Sequence, residues 1–326
     1  MASGLRVFVT RALPGEQSAA RLEATANIDW WEHERPPSAE ELAERSVHCD
    51  GLLTMLTERV DGTLLDRCST VRVVANMAVG FDNIDVDAAT ERGVLVTNTP
   101  DVLTETTAEL TIALLLAAAR RLPEGERAVR DGAWGPWHPS WLLGQDLHRS
   151  TLGIVGPGRI GRAVAERAAG FGMEVLYCGR RQVPSFPGEH ASFETLLERS
   201  DFVSAHLPLT AETERMFDAP AFARMQPHAI FVNTARGGIV DQTALRAALI
   251  EGQIGAAALD VTTPEPLPPD DPLLEAPHLL VIPHLGSATR RTRERMASLA
   301  VDGLLSGLSG ERPRHLVNPE AWERRR

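Results

Sequence analysis

Gly153-Ile-Val-Gly-Pro-Gly-Arg-Ile-Gly161 links a short apolar run to an amphipathic one through closely spaced glycines. Leu152 to Val155 reads as a buried strand, and Arg159 to Ala169 reads as a helix. Gly156-Pro-Gly-Arg-Ile-Gly161 between them fits G-x-G-x-x-G in the setting that gives the pattern meaning. Such glycines permit a tight turn and let backbone come close to a pyrophosphate, which the helix N-terminus attracts. The stretch therefore predicts a dinucleotide-binding βαβ unit in an α/β protein.

Working outward, short Val-, Ile- and Leu-rich runs alternate with amphipathic stretches. Leu5 to Val9, Gly51 to Met55, Val71 to Ala75 and Val94 to Thr97 read as one set of strands. A second set is Leu152 to Val155, Glu174 to Cys178, Phe202 to Ala205, Ala229 to Asn233, Gly255 to Leu259 and Leu279 to Ile282. This βαβα alternation implies two Rossmann-like units with parallel sheets. A long helix from Thr104 to Arg121, ended or kinked by Pro123, separates the two sets, and the last substantial helix starts near Ala288. Gly132-Ala-Trp-Gly-Pro-Trp-His-Pro-Ser-Trp-Leu-Leu143 has neither period and holds Trp134, Trp137 and Trp141. Its indoles either pack on their own domain or form an arm buried against a second subunit, the reading we favour.

Composition narrows the function. At 326 residues, 43% hydrophobic and 24% charged, the chain is globular and long enough for about two domains. A net charge of −11 argues against nucleic acid as the main partner. The sequence contains no lysine, which removes Schiff-base and Walker-type lysine chemistry. Cys49, Cys68 and Cys178 show neither metal-ligand nor disulfide spacing, so a reduced, cytoplasmic setting without a structural metal is expected. The longest apolar run, Leu110 to Ala119, is too short to span a membrane.

The second strand of a dinucleotide unit usually closes on an acidic residue that takes the ribose hydroxyls. Here Glu174-Val-Leu-Tyr-Cys-Gly-Arg-Arg181 closes on Arg180 and Arg181 instead. Guanidinium groups suit a 2′-phosphate, so NADPH is the expected cofactor, with NADH possible. The alternative is a solvated arginine pair.

Three polar clusters follow strands: Asn233-Thr-Ala-Arg-Gly-Gly238, Leu259-Asp-Val-Thr-Thr-Pro-Glu-Pro266 and Ile282-Pro-His-Leu-Gly-Ser-Ala-Thr289. Reducing a ketone by hydride needs a proton donor for its oxygen, and histidine beside a carboxylate suits that role. A fixed arginine fork suits the carboxylate of a 2-oxo acid. Arg236, Glu265 and His284 supply these groups, although chemistry alone leaves His206 competing with His284.

The order of these motifs resembles the D-isomer-specific 2-hydroxyacid dehydrogenase family over nearly the whole chain. Val79-Gly-Phe-Asp-Asn-Ile-Asp85, Thr99 to Glu109, the glycine turn, Leu207-Pro-Leu-Thr210 and the three clusters carry the match. The resemblance implies a flavodoxin-like substrate domain, residues 1–102 and 288–326, and a dinucleotide-binding domain, 103–287, separated by a cleft. It implies His284 as acid, Glu265 as its partner, and Arg236 on the substrate carboxylate and carbonyl. Val79 and Gly80 would add N–H donors, with Ser287 also at the substrate. Gly156, Gly158, Arg159, Ile160 and Gly161 would face the pyrophosphate, and Arg180 and Arg181 the ribose. Pro208, Thr234, Asp260 and Gly286 would line the nicotinamide half.

Within that family, Met55 and Leu56 stand where the phosphoglycerate branch carries an arginine, which favours a small 2-oxo acid such as glyoxylate or hydroxypyruvate. The Trp-rich segment is similar to a dimer arm whose tryptophan, here Trp141, reaches the partner's site. Pro157 departs from the usual apolar residue of the turn. The alternatives are another dehydrogenase of the family, or a dinucleotide-sensing regulator with the same fold.

Overall fold

The computed structural model describes residues 4–325. In chain order the first elements are β1 (Arg6–Val9), α1 (Glu16–Thr25), β2 (Asn27–Trp30), α2 (Ala39–Ser46), β3 (Gly51–Thr54), α3 (Gly62–Arg67), β4 (Val73–Asn76), α4 (Val86–Glu91) and β5 (Leu95–Thr97). Then come α5 (Thr104–Ala119), α6 (Leu122–Arg130), β6 (Thr151–Val155), α7 (Arg159–Ala169), β7 (Glu174–Cys178), β8 (Glu189–His190), α8 (Phe193–Arg199) and β9 (Phe202–Ala205). The last are α9 (Ala219–Arg224), β10 (Ile230–Asn233), α10 (Gln242–Ile250), β11 (Ala256–Leu259), β12 (Leu279–Val281) and α11 (Arg290–Ser309). The chain divides into two compact units, Met1–Leu103 with Thr289–Arg326, and Thr104–Ala288.

The first unit holds a five-stranded parallel sheet in the order β2-β1-β3-β4-β5. Both of its faces are covered. Leu22 of α1 and Met296, Ala300 and Leu304 of α11 pack on one face, while Leu42, Leu64 and Ala89 from α2, α3 and α4 pack on the other. A sheet buried on both faces needs apolar residues at every position, which is why Gly51-Leu-Leu-Thr54 reads as a continuous buried run.

The second unit holds a seven-stranded parallel sheet in the order β12-β11-β10-β9-β6-β7-β8. From β6 outward the strand order reverses between β6 and β9, the switch point at which open α/β sheets bind ligands. α5 and α7 cover one face through Ile112, Leu115, Val164 and Ala168. α8, α9 and α10 cover the other through Leu196, Phe222 and Leu245.

Three features depart from the sequence reading. β2 and the two-residue β8 are edge strands that the pattern left out; Asn27-Ile-Asp-Trp30 is only partly buried, so it lacks an apolar run. The long helix stops at Ala119 rather than Arg121, which adopts a left-handed conformation at φ 52°. Pro123 then lies in the first turn of a second helix, α6, where its missing N–H costs nothing. No described helix is long and apolar enough to cross a membrane.

Candidate active site

The three glycines of the turn after β6 do three different things. Gly156 has φ 102°, and a Cβ there would stand 2.6 Å from the His206 carbonyl oxygen after β9. A Cβ at Gly161 would stand 2.4 Å from the Gly156 oxygen, so this glycine lets α7 lie close to the turn. A Cβ at Gly158 would meet nothing within 4 Å. That side of the turn is open, as close approach of a phosphate requires. Ser, Asp or Thr side chains cap α2, α3, α4, α8, α9, α10 and α11, whereas Gly158 caps α7 without a side-chain hydrogen bond. The first turn of α7 thus receives no hydrogen bond from its N-cap side chain.

Pro157 is accommodated by Gly179, whose Cβ would lie 2.7 Å from the proline ring. Arg180 and Arg181 follow Gly179 and are exposed, and after the Thr210 hydroxyl the Arg180 charge also helps to hold the Glu212 carboxyl below its usual pKa. An open turn and a helix start without a side-chain cap fit the pyrophosphate of a nicotinamide dinucleotide. Among the described residues no group of His, Cys, Asp and Glu could hold a metal ion.

His206 is half-buried in residue surface, and its Nε2 lies 2.9 Å from the Ser204 hydroxyl. Desolvation of its ring pushes its pKa down to about 3, so the imidazole is neutral near pH 7. A neutral ring packed beside the glycine turn is a poor proton donor.

His284 follows β12 in a left-handed conformation, φ 52°. Three consecutive N–H groups hold it there, all donating to Asp260 at the end of β11. His284 N–H donates to the Asp260 carbonyl at 2.9 Å, and Leu285 and Gly286 N–H donate to its two carboxylate oxygens at 2.5 and 2.9 Å. Asp260 is 1% exposed, and burial pushes its pKa up, while those two N–H donors act the other way. Asp260, expected at the nicotinamide, also shapes the turn that presents His284. The Thr107 hydroxyl of α5 also donates to the Gly286 carbonyl at 2.9 Å.

The imidazole Nδ1 of His284 is hydrogen-bonded to the Glu265 carboxylate. Glu265 stands between two prolines, and the Thr263–Pro264 and Glu265–Pro266 bonds are both cis. Its loop is gripped by Gln242, the first residue of α10. Thr263 N–H donates to Gln242 Oε1 at 2.6 Å, and Gln242 Nε2 donates to the Thr263 carbonyl at 2.8 Å. The sequence reading gave Gln242 no role, since a glutamine at a helix start carries no motif.

Arg236 follows β10, and its Nη1 donates to the Ala235 carbonyl at 2.8 Å. Asn233 shapes the turn, accepting from Ala235 N–H at 3.0 Å and donating to the Arg236 carbonyl at 2.8 Å. The Thr234 hydroxyl pairs with that of Thr111 at 3.0 Å. Ser287 and Thr234 are each 8% exposed, and Pro208 is exposed. Unit two thus brings together the ends of β6, β9, β10, β11 and β12.

Unit one carries Met55, Val79 and Gly80, all half-buried. The Val79 carbonyl accepts from Asn98 at 2.8 Å and the Gly80 carbonyl from Asn76 at 3.0 Å. The Trp arm of unit two is exposed: Trp134 at 68%, Trp137 at 86% and Trp141 at 42%. Beside it is a hollow of about 770 Å³ at the opposite ends of the strands, lined by Arg121, Trp141, Leu143, Ile230 and Leu280. Of the candidate residues it holds only Trp141.

Residues 112–286 match the family model of the D-isomer-specific 2-hydroxyacid dehydrogenase, NAD-binding domain. The chain therefore belongs to the D-isomer-specific 2-hydroxyacid dehydrogenases, NAD(P)-dependent oxidoreductases. It is 49% identical over 320 residues to a glyoxylate reductase of Korarchaeum cryptofilum, covering 97% of this chain and 96% of that one. A crystal structure of a protein from Thermus thermophilus superposes with a TM-score of 0.91 at 48% identity, covering 96% of this chain and all of that one. The NADPH-dependent glyoxylate/hydroxypyruvate reductase of Sinorhizobium meliloti, in complex with NADP and malonate, gives a TM-score of 0.84 at 31% identity and 98% of each chain.

Proposed function

We infer that this enzyme reduces glyoxylate to glycolate and hydroxypyruvate to D-glycerate, with NADPH preferred to NADH. The observation that carries the reading is the His284–Glu265 pair, presented with Arg236 at adjoining strand ends of the unit that holds the open glycine turn. When bound, the nicotinamide supplies the hydride. With Nδ1–H held by Glu265, His284 keeps its other nitrogen for the substrate, and in the charged ring Nε2–H donates its proton to the carbonyl oxygen. Arg236 pairs with the substrate carboxylate, where its fixed fork orients the carbonyl beside it. Ser287 adds a hydroxyl; in unit one the Val79 and Gly80 N–H groups serve as donors to a carboxylate and Met55 as an apolar wall. Thr234, Pro208, Asp260 and Gly286 line the nicotinamide half.

Arg180 and Arg181 support NADPH, being exposed at the end of β7, and the Sinorhizobium relative was crystallised with NADP. The exposed Trp134, Trp137 and Trp141, with the hollow beside them, support an arm buried in a homodimer that carries Trp141 toward the partner's substrate. Three free thiols suit a cytoplasmic setting.

Steady-state reduction of both acids with NADPH and with NADH, in the wild type and in an Arg180→Ala/Arg181→Ala variant, tests the reading. The expected result is turnover with a clear NADPH preference that collapses in the variant. Equal rates with NADH in the wild type would remove the arginines from cofactor choice, and no turnover of either acid would overturn the reductase.

A further inference from the structure

Unit one has its own switch point, between β1 and β3, and a buried carboxylate fills it. Glu58 is 2% exposed. Its Oε2 accepts from the Thr10 hydroxyl after β1 at 2.6 Å and from Met55 N–H after β3 at 2.7 Å. Its Oε1 accepts from the Thr57 hydroxyl. A carboxylate thus sits where an open sheet would otherwise take an anionic ligand.

The same segment is tied to a second loop. The side-chain amide of Asn83 donates to the Met55 carbonyl at 3.0 Å and to the Glu58 carbonyl at 2.8 Å. The Asn76 amide at the end of β4 then donates to Asn83 Oδ1 at 3.2 Å and to the Gly80 carbonyl at 3.0 Å. Thr54 completes the chain by donating to Asn76 Oδ1 at 3.2 Å. One continuous network therefore runs from Glu58 through Asn83 and Asn76 to Gly80. Breaking one link leaves its partners without a hydrogen bond, so a disturbance in one loop is expected to reach the other.

We propose that Glu58 and Asn83 are positioning residues for substrate choice, fixing the spacing between the Met55 wall and the Val79–Gly80 amides. This rests on the reading that those two loops hold the small 2-oxo acid. Glyoxylate and hydroxypyruvate carry at most two heavy atoms beyond the carbonyl carbon, so a wall held rigidly near the carboxylate site favours them over longer acids. Releasing the wall admits a longer side chain. A pocket wall that fits or misses one methylene changes discrimination by roughly tenfold or more.

The test uses the full chain as Glu58→Gln and as Asn83→Ala, the second guarding against a first that does not fold. Two quantities are measured: hydrogen exchange of residues 55–58 and 79–83, and the ratio of kcat/KM for 2-oxohexanoate to that for glyoxylate. Both loops should exchange faster together in either variant, and the ratio should rise roughly tenfold. A smaller folded fraction scales both acids equally and leaves the ratio unchanged, so the ratio separates positioning from mere destabilisation. Exchange confined to one loop would break the tie, and a ratio within about twofold of the wild type would overturn the role in substrate choice. If the wild type reduces no 2-oxo acid, the substrate reading fails and the specificity role falls with it, while exchange still reports the tie.

Discussion

The two units share one architecture and use its switch point in opposite ways. In unit one the crevice between β1 and β3 is closed by Glu58, which the chain holds with its own hydroxyls and amide. In unit two the crevice between β6 and β9 is kept open by Gly158, where a Cβ would meet nothing. A parallel sheet offers a ligand site at such a point, and local residues decide whether the chain fills it or leaves it to a cofactor.

The comparison fails most visibly if the chemistry is not in unit two. His284→Ala should lower kcat roughly a thousandfold while leaving dinucleotide affinity within about twofold. Steady-state kinetics and quenching of tryptophan fluorescence by NADPH measure the two. A parallel loss of affinity would make His284 part of the cofactor site instead.

The glycines sharpen the contrast within one turn. Gly156→Ala places a side chain at φ 102° against the His206 carbonyl and should cost roughly 2 kcal/mol or more in thermal unfolding. Gly158→Ala has room and should melt within a few degrees of the wild type, yet bind NADPH roughly tenfold more weakly by calorimetry. Similar stability losses in both would mean that Gly158 serves the fold and not a ligand.

Gln242→Ala should reduce kcat about tenfold with little change in KM for NADPH, because Gln242 grips the backbone two residues before Glu265. Gln242→Glu keeps the acceptor for Thr263 N–H but loses the donor, and should fall between the two. Equal activity in all three proteins would show that the prolines alone hold Glu265.

A further expected effect is on stability against pH. The His206 ring stays neutral in the folded protein to about pH 3, whereas an unfolded imidazole gains a proton below about 6.5. Its contribution is therefore flat above that range and destabilising below it, by up to roughly 1.4 kcal/mol per pH unit. Denaturant melts of wild type and His206→Asn between pH 7 and 4 should diverge downward, the wild type losing more. Parallel curves would remove His206 from the acid sensitivity.

The order of elements, the glycine turn, and the grouping of Arg236, Glu265 and His284 at strand ends were all legible in the chain, because buried parallel strands and tight phosphate turns demand residue types that leave a pattern. The two edge strands were not, since partial burial leaves no apolar run at Asn27-Ile-Asp-Trp30. The motif around Val79 was visible, but the purpose of its Asn83 was not. Hydrogen bonds from Asn83 to Met55 and Glu58 join residues 28 and 25 positions apart, and no local rule encodes such a pairing. Nor could spacing reveal that Asp260 shapes the His284 turn, or that the His206 ring is desolvated. Those outcomes depend on which groups lose water and which carbonyl faces which amide, and only the packed chain decides that.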